Sequence, residues 1–171
     1  MSDRPCNPDP VRQASQALLI ETLAANAWPP EQSIIFDGWR LRSARGVTRR
    51  ANSVWPNAGG EMIDIDARLA VVEQYYAAAG LPAAFQICAA AQPPGLEQML
   101  EQRGYRADAH THVQTTTVAG MLDKLPAQRL RPQLEVEISD TLTAGWFALY
   151  CACEEVSGHS AAVRRAILQR I

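Results

Sequence analysis

The breaks in this chain constrain its fold more than any other feature. Trp28-Pro29-Pro30, Asn57-Ala58-Gly59-Gly60, Gly80-Leu81-Pro82, Gln92-Pro93-Pro94 and Gly104 interrupt it at short intervals. Proline lacks the amide hydrogen that a helix or an inner strand needs, and it disfavours a helical residue before it. Glycine just past a helix ends it by adopting the left-handed conformation. The pieces between these breaks are therefore short helices and strands.

Their periodicities give an order. Asp9-Pro10 pairs a capping carboxylate with a first-turn proline, and Val11, Ala14 and Leu18, with Leu19 and Thr22, recur at helical spacing through residues 10–27. Residues 33–44 and 48–55 read as strands joined at Arg45-Gly46, which predicts a hairpin. Ile65, Leu69, Val72 and Tyr76 stripe a helix over residues 63–79, and residues 84–90 make a short apolar strand. A helix is expected over 95–103 and a strand rich in threonine, valine and histidine over 105–118. A proline-bearing linker over 119–133 separates these from a strand over 134–139 and a helix over 141–157, striped by Leu142, Trp146, Leu149, Cys153 and Val156. Gly158 stops that helix, and another follows over 160–171 through Val163 and Ile167. The expected fold class is α/β with a mixed α+β sheet. One strand and two helices after the linker leave apolar faces that need a partner.

Composition narrows the function. The 171 residues are 47% hydrophobic and 20% charged with a net charge of -2, which does not describe a general nucleic-acid binder. No apolar run approaches the roughly 20 residues that cross a bilayer. The amino-terminal residues 1–10 are polar, so a cytoplasmic protein is expected. Cys6, Cys88, Cys151 and Cys153 read as unpaired thiols.

One stretch is distinctive. Asp37-Gly38-Trp39 with Leu41-Arg42, then Gly46-Val47-Thr48-Arg49-Arg50-Ala51-Asn52-Ser53-Val54-Trp55-Pro56, resembles a signature of a bacterial subfamily of GNAT N-acetyltransferases. The likeness continues through Val72-Glu73-Gln74-Tyr75-Tyr76, Gly80-Leu81-Pro82, Phe85-Gln86 and Leu100-Glu101-Gln102-Arg103-Gly104-Tyr105. It implies a degenerate GNAT-like N-terminal domain over 1–118, the linker over 119–133, and the incomplete start of a second GNAT domain over 134–171. It further implies acetyl transfer from acetyl-CoA to an amine, by direct attack of the neutral amine on the thioester. The family holds the acetyl-CoA pyrophosphate with a Gln/Arg-x-x-Gly-x-Gly/Ala loop at a helix start, where amides and the helix dipole converge. Residues 134–171 contain no such pattern, so this chain alone is expected to bind no cofactor and to be inactive. Gly59-Gly60 is the only glycine pair ahead of a helix; it lacks the spacing, and Glu61 and Asp64 follow it.

Candidate site residues centre on the distinctive stretch. Arg40, Arg42, Arg45, Arg49 and Arg50 form the densest positive cluster, readable as an anion site or as solvated and ion-paired arginines. The resemblance puts Arg49, Arg50, Asn52 and Ser53 nearest the acceptor, with Arg42 and Trp39 beside them. Trp39 and Trp55 can stack on a ligand or cover the core. Asp37 is expected to pair with an arginine of the same hairpin. His110 and His112 share a strand face but lack a third zinc ligand, so no metal is expected. Glu154 and Glu155 are readable as a general base or as an exposed helix face. Two readings from another class remain: a non-catalytic module that forms a homodimer through the unfinished second unit, and a binder of a small anionic ligand. Neither a nucleic-acid nor a membrane partner is expected.

Overall fold

A computed structural model describes residues 9–125 and 135–171. Helix α1 (Pro10–Ala27) begins as the sequence predicts, with the Asp9 carboxylate accepting from Val11 N. Strands β1 (Gln32–Phe36), β2 (Trp39–Ser43) and β3 (Val54–Trp55) form an antiparallel sheet in that order. Helices α2 (Ile65–Ala78), α3 (Leu96–Gln102), α4 (Val118–Leu122), α5 (Ala144–Cys153) and α6 (Gly158–Leu168) follow. The fold is thus mixed α and β.

The core lies on the sheet face that carries Trp39 and Leu41. Leu69, Val72 and Tyr76 of α2 pack there with Val54, Leu96 and Leu100. Each such side chain contributes about 1.5–3 kcal/mol by leaving water. The predicted α2 stripe is therefore the buried one. A second, smaller cluster joins Ala44, Val47 and Ala51 to Val163 and Ile167 of α6, with Trp28 against it. The Arg170 guanidinium also donates to the Pro30 carbonyl at 2.8 Å.

Several expected elements differ. The single strand expected over 33–44 is two, because Asp37 and Gly38 take φ of 42° and 84° and turn the chain between β1 and β2. Asp-Gly is a strong signal for a tight hairpin turn with positive φ at both central residues. Arg45-Gly46 is not that turn. Arg45, Gly46 and Thr48 all have positive φ, which turns most of the strand expected over 48–55 into a coiled loop and leaves β3 two residues long.

The strand expected over 84–90 contracts to one parallel bridge, Phe85 to Val54. Residues 105–117 belong to no strand, and α4 occupies the start of the expected linker. The linker's remainder, Leu134, Cys6 and residues 1–8 lie outside the described residues. Residues 135–139 are extended but unpaired, with Val136 and Ile138 82% and 95% exposed. Gly158 does not end α5, which stops at Cys153 with Glu154 at its C-cap; it opens α6.

Two helical stripes are inverted relative to expectation. In α1, Val11, Leu18 and Leu19 face solvent, and the helix packs through Ala25 and through the Glu21 carboxylate, which accepts from the Trp55 indole. In α5, Trp146 and Leu149 are exposed while Phe147 is buried. Periodicity reports that a face is apolar, not that a partner covers it.

Candidate functional site

The distinctive stretch folds into a loop whose interior is polar and saturated. Asn52 is its organiser. The Asn52 Oδ1 accepts from Ala44 N at 2.8 Å and Gly46 N at 2.9 Å. Its Nδ2 donates to the carbonyls of Ala44, Val47 and Thr48 at 3.4, 2.7 and 2.8 Å. A buried side-chain amide making five hydrogen bonds fixes the loop backbone.

That fixing holds a conformation the chain resists. Thr48 sits at φ 64°, where a β-branched residue is a clear outlier. The Trp28 indole donates to the Thr48 hydroxyl at 3.0 Å and locks the side chain as well. Strain of this kind persists only where the surroundings over-determine it, and it concentrates at functional sites.

Arg42 is buried beneath the same loop. Its Nη2 donates to Ser53 Oγ at 2.6 Å and Gln86 Oε1 at 2.7 Å, and its Nε to the Ser53 carbonyl at 3.3 Å. Tyr76 brackets its backbone, with the hydroxyl donating to Arg42 O at 2.9 Å and accepting from Arg42 N at 3.2 Å. Burial pulls the guanidinium below its ordinary pKa, opposed by the charge of Glu21. Burial likewise pushes the Tyr76 hydroxyl up to about 12. Glu21 reaches the network indirectly, accepting from Trp55 Nε1 at 3.0 Å and from the Gln86 amide.

The arginines do not converge. Arg40 lies 4.9 Å over the Trp55 ring, and Arg45 Nε donates to Glu31 at 2.8 Å. Arg49 Nη1 lies 2.7 Å from Asp108 Oδ2 on the surface. Arg50 is exposed, and it makes no ion pair among the described residues. The Asn52 backbone N–H donates to the Arg49 carbonyl at 3.1 Å and closes a turn on which Arg49 and Arg50 are exposed while Ala51 and Asn52 are buried. Of the six substrate-side candidates, then, Arg49 and Arg50 reach solvent. Arg42, Asn52 and Ser53 are buried supports, and Trp39 is fully enclosed, its indole donating to the Gln92 carbonyl at 2.9 Å.

The Gly59-Gly60 loop lies ahead of α2, where a pyrophosphate site would need free amides. The amides that follow it, on Glu61 and Met62, both donate to Asp37 Oδ1, at 3.0 and 3.1 Å. Asp37 Oδ2 lies 2.5 Å from Arg68 Nη2 in a buried ion pair. Asp37 thus pairs across to α2 and not within its own hairpin. Burial pushes its carboxyl pKa up, but the Met62 and Glu61 amides and Arg68 outweigh that and hold it below the ordinary value. A Cβ at Gly60 would collide with Arg68 Nη2 and with the Asp37 carbonyl and carboxylate. The concavity already holds an internal anion, so these residues do not fit the cofactor's phosphates.

Elsewhere, His110 and His112 stack edge to face at 4.7 Å, and no group of three metal-ligating side chains occurs among the described residues. Glu154 pairs with Arg164 at 3.1 Å on an exposed helix face. Cys88, Cys151 and Cys153 are free thiols. A hollow of about 410 Å³ is lined by Glu31, Gln32, Ser43, Arg45, Ala79 and Leu81, away from Arg49 and Arg50. No described helix is long and apolar enough to cross a membrane. Glu21, Arg68 and Asp108 carry no local signal in the sequence, and Gln86 enters it only through the resemblance at Phe85-Gln86.

Comparison with known proteins supplies the class. The family described as "Probable histone acetyltransferase Rv0428c C-terminal" matches residues 14–168, which include the whole loop and helix α6 of the second cluster. The chain belongs to this acetyltransferase family. It is similar to the "Uncharacterized N-acetyltransferase YobR" of Bacillus subtilis (strain 168), 42% identical over 86 residues, which are 50% of this chain and 33% of that protein. The aligned region thus spans about a third of that curated relative's length. No solved structure matches the chain significantly.

Proposed function

We propose that this chain provides the acceptor side of an acetyl-CoA-dependent N-acetyltransferase of the GNAT type, which passes an acetyl group to an amine. The single observation that carries the reading is the family match over 14–168, which contains the loop on which the consecutive residues Arg49 and Arg50 are exposed. Asn52, Ser53 and Arg42 serve it as a rigid base, and a rigid base is what positions an acceptor.

Acetyl-CoA itself is to be held by residues other than the Gly59-Gly60 loop, because the amides that follow it, on Glu61 and Met62, are taken by Asp37. The chain alone is then inactive. Calorimetric titration of acetyl-CoA tests this: one-to-one saturation at micromolar concentration would overturn it, and silence up to millimolar ligand supports it. Thiol release from acetyl-CoA with a panel of amines, measured on this chain and on one extended by a CoA-binding acetyltransferase domain, tests the activity. Release by the extended protein alone is expected; release by neither removes acetyl transfer.

A second reading has its own observation. Leu18, Leu19 and Leu23 of α1, Val136, Ile138, Trp146 and Leu149 are all exposed. They suit a non-catalytic module that pairs as a homodimer. Sedimentation across a hundredfold range of concentration decides it, a constant monomer mass counting against.

A further inference from the structure

We infer that Arg49 and Arg50 form the recognition edge for a carboxylate carried by the acceptor amine, and that Asp108 occupies this edge as an internal surrogate when no ligand is bound. The inference rests on the acceptor-side reading above and deepens it by naming the substrate class.

The first support is the supporting structure. Five hydrogen bonds from one buried amide, together with the Trp28–Thr48 bond, hold a loop with Thr48 at φ 64° and Arg45 at φ 49°. A loop kept in a strained shape presents something in a fixed place. What it presents is two consecutive exposed arginines, Arg49 and Arg50, at a turn closed by the Asn52 backbone N–H on the Arg49 carbonyl.

The second support is the group already there. Asp108 Oδ2 meets Arg49 Nη1 at 2.7 Å while the two side chains remain 74% and 71% exposed. The other Asp108 oxygen accepts from Ala109 N at 2.7 Å, with Ala109 at φ 55°. Asp108 stands on residues 105–117, which belong to no helix or strand. An exposed pair on such a segment is weak and is opened at little cost. Guanidinium is the natural partner of a planar carboxylate, so a ligand carboxylate can take the place of Asp108 and use Arg50 as well.

The same edge disfavours a polycationic acceptor. Two outward guanidiniums repel a lysine-rich peptide, and only one carboxylate, that of Asp108, faces them among the ion pairs described. A small amino acid or another acidic amine matches; a basic tail does not.

Nitrogen-15 spectra of the arginine side chains, followed while L-glutamate is added, test the idea. Pentane-1,5-diamine and a lysine-rich histone-tail peptide serve as comparisons. In the native chain, glutamate is expected to shift the Arg49 and Arg50 signals. Asp108→Ala is expected to bind glutamate about fivefold more tightly, the weakness of an exposed pair setting that scale. Arg49→Gln/Arg50→Gln is expected to lose the binding with an unchanged melting temperature, since both side chains are outside the core. No glutamate binding by either the native or the Asp108→Ala chain overturns the inference. So does unchanged affinity in Asp108→Ala, or tighter binding of the diamine or the peptide. Because binding is read without acetyl transfer, glutamate recognition in a protein that never acetylates would remove the functional reading and leave this edge standing.

Discussion

The side-chain amide of Asn52 donates to the carbonyl of Thr48 at 2.8 Å and so holds a β-branched residue at φ 64°. The two residues are a brace and the bend it keeps. Asn52→Ala removes the brace and leaves buried amides at Ala44 and carbonyls at Val47 without partners. Each orphaned group costs about 1–3 kcal/mol, so a loss of about 3 kcal/mol or more is expected in urea unfolding. Asn52→Asp keeps the acceptor and loses the donor, and it should fall between the two.

Arg42 makes a different demand. Its guanidinium reaches Ser53 Oγ and Gln86 Oε1 at once, a fork that an ammonium cannot imitate. Arg42→Lys is expected to lower stability by about 2–4 kcal/mol despite preserving charge, measured by chemical unfolding. A loss below about 0.5 kcal/mol would mean that the fork contributes nothing.

Gly60 has no room for a side chain. Gly60→Ala drives a methyl group into the Asp37–Arg68 pair and is expected to destabilise the fold by about 1–3 kcal/mol. Gly59→Ala, beside it, meets open space. Equal melting temperatures for the two variants would contradict the close packing of this turn.

Acid should unfold the chain through two carboxylates. The Arg45 hydrogen bond holds the Glu31 pKa below 4.5, and amide bonds with Arg68 hold that of Asp37 below 3.8 against the effect of burial. A depressed folded pKa means that the unfolded chain binds protons first, so this stability is present above those ordinary values and is lost as pH falls through the folded ones. Melting temperature should drop steeply below about pH 4, and Asp37→Asn should flatten part of that drop. Tyr76 acts with the opposite slope: its pKa, raised to about 12, gives stability that is complete below pH 10 and declines as pH rises further.

Helices α1, α2 and α3 and the antiparallel pairing of the segments expected over 33–44 and 48–55 were legible in the sequence; the turn that splits the first segment, and helix α4, were not. Asp9-Pro10, Gly80 and Gly104 are local signals, and α1, α2 and α3 begin and end within a residue or two of where these place them. The stripe of Leu69, Val72 and Tyr76 also named its own buried face. Asp37-Gly38 is a turn signal set inside a segment whose composition otherwise suits one continuous strand. Residues 105–117 have strand composition, yet strand formation depends on a neighbour that no local pattern reveals.

The site divides in the same way. Arg49 and Arg50 stand out as a charged pair, but nothing local says that Arg42 turns inward beneath Ser53 or that Asp37 finds Arg68 on another element. Asn52 was singled out for the acceptor and proved to be the loop's internal tie. Those assignments depend on which groups lose water together, and that is decided by the tertiary fold.

The seat of α6 against the loop has an evolutionary consequence. Val163 and Ile167 fill the space beside Ala44, Val47 and Ala51, so the volume allowed at either set depends on the other. Across the family, a larger residue at 51 should be accompanied by a smaller one at 163 or 167. The loop and α6 would then drift as one unit, while Arg49 and Arg50, on the exposed side of the loop, stand outside that constraint.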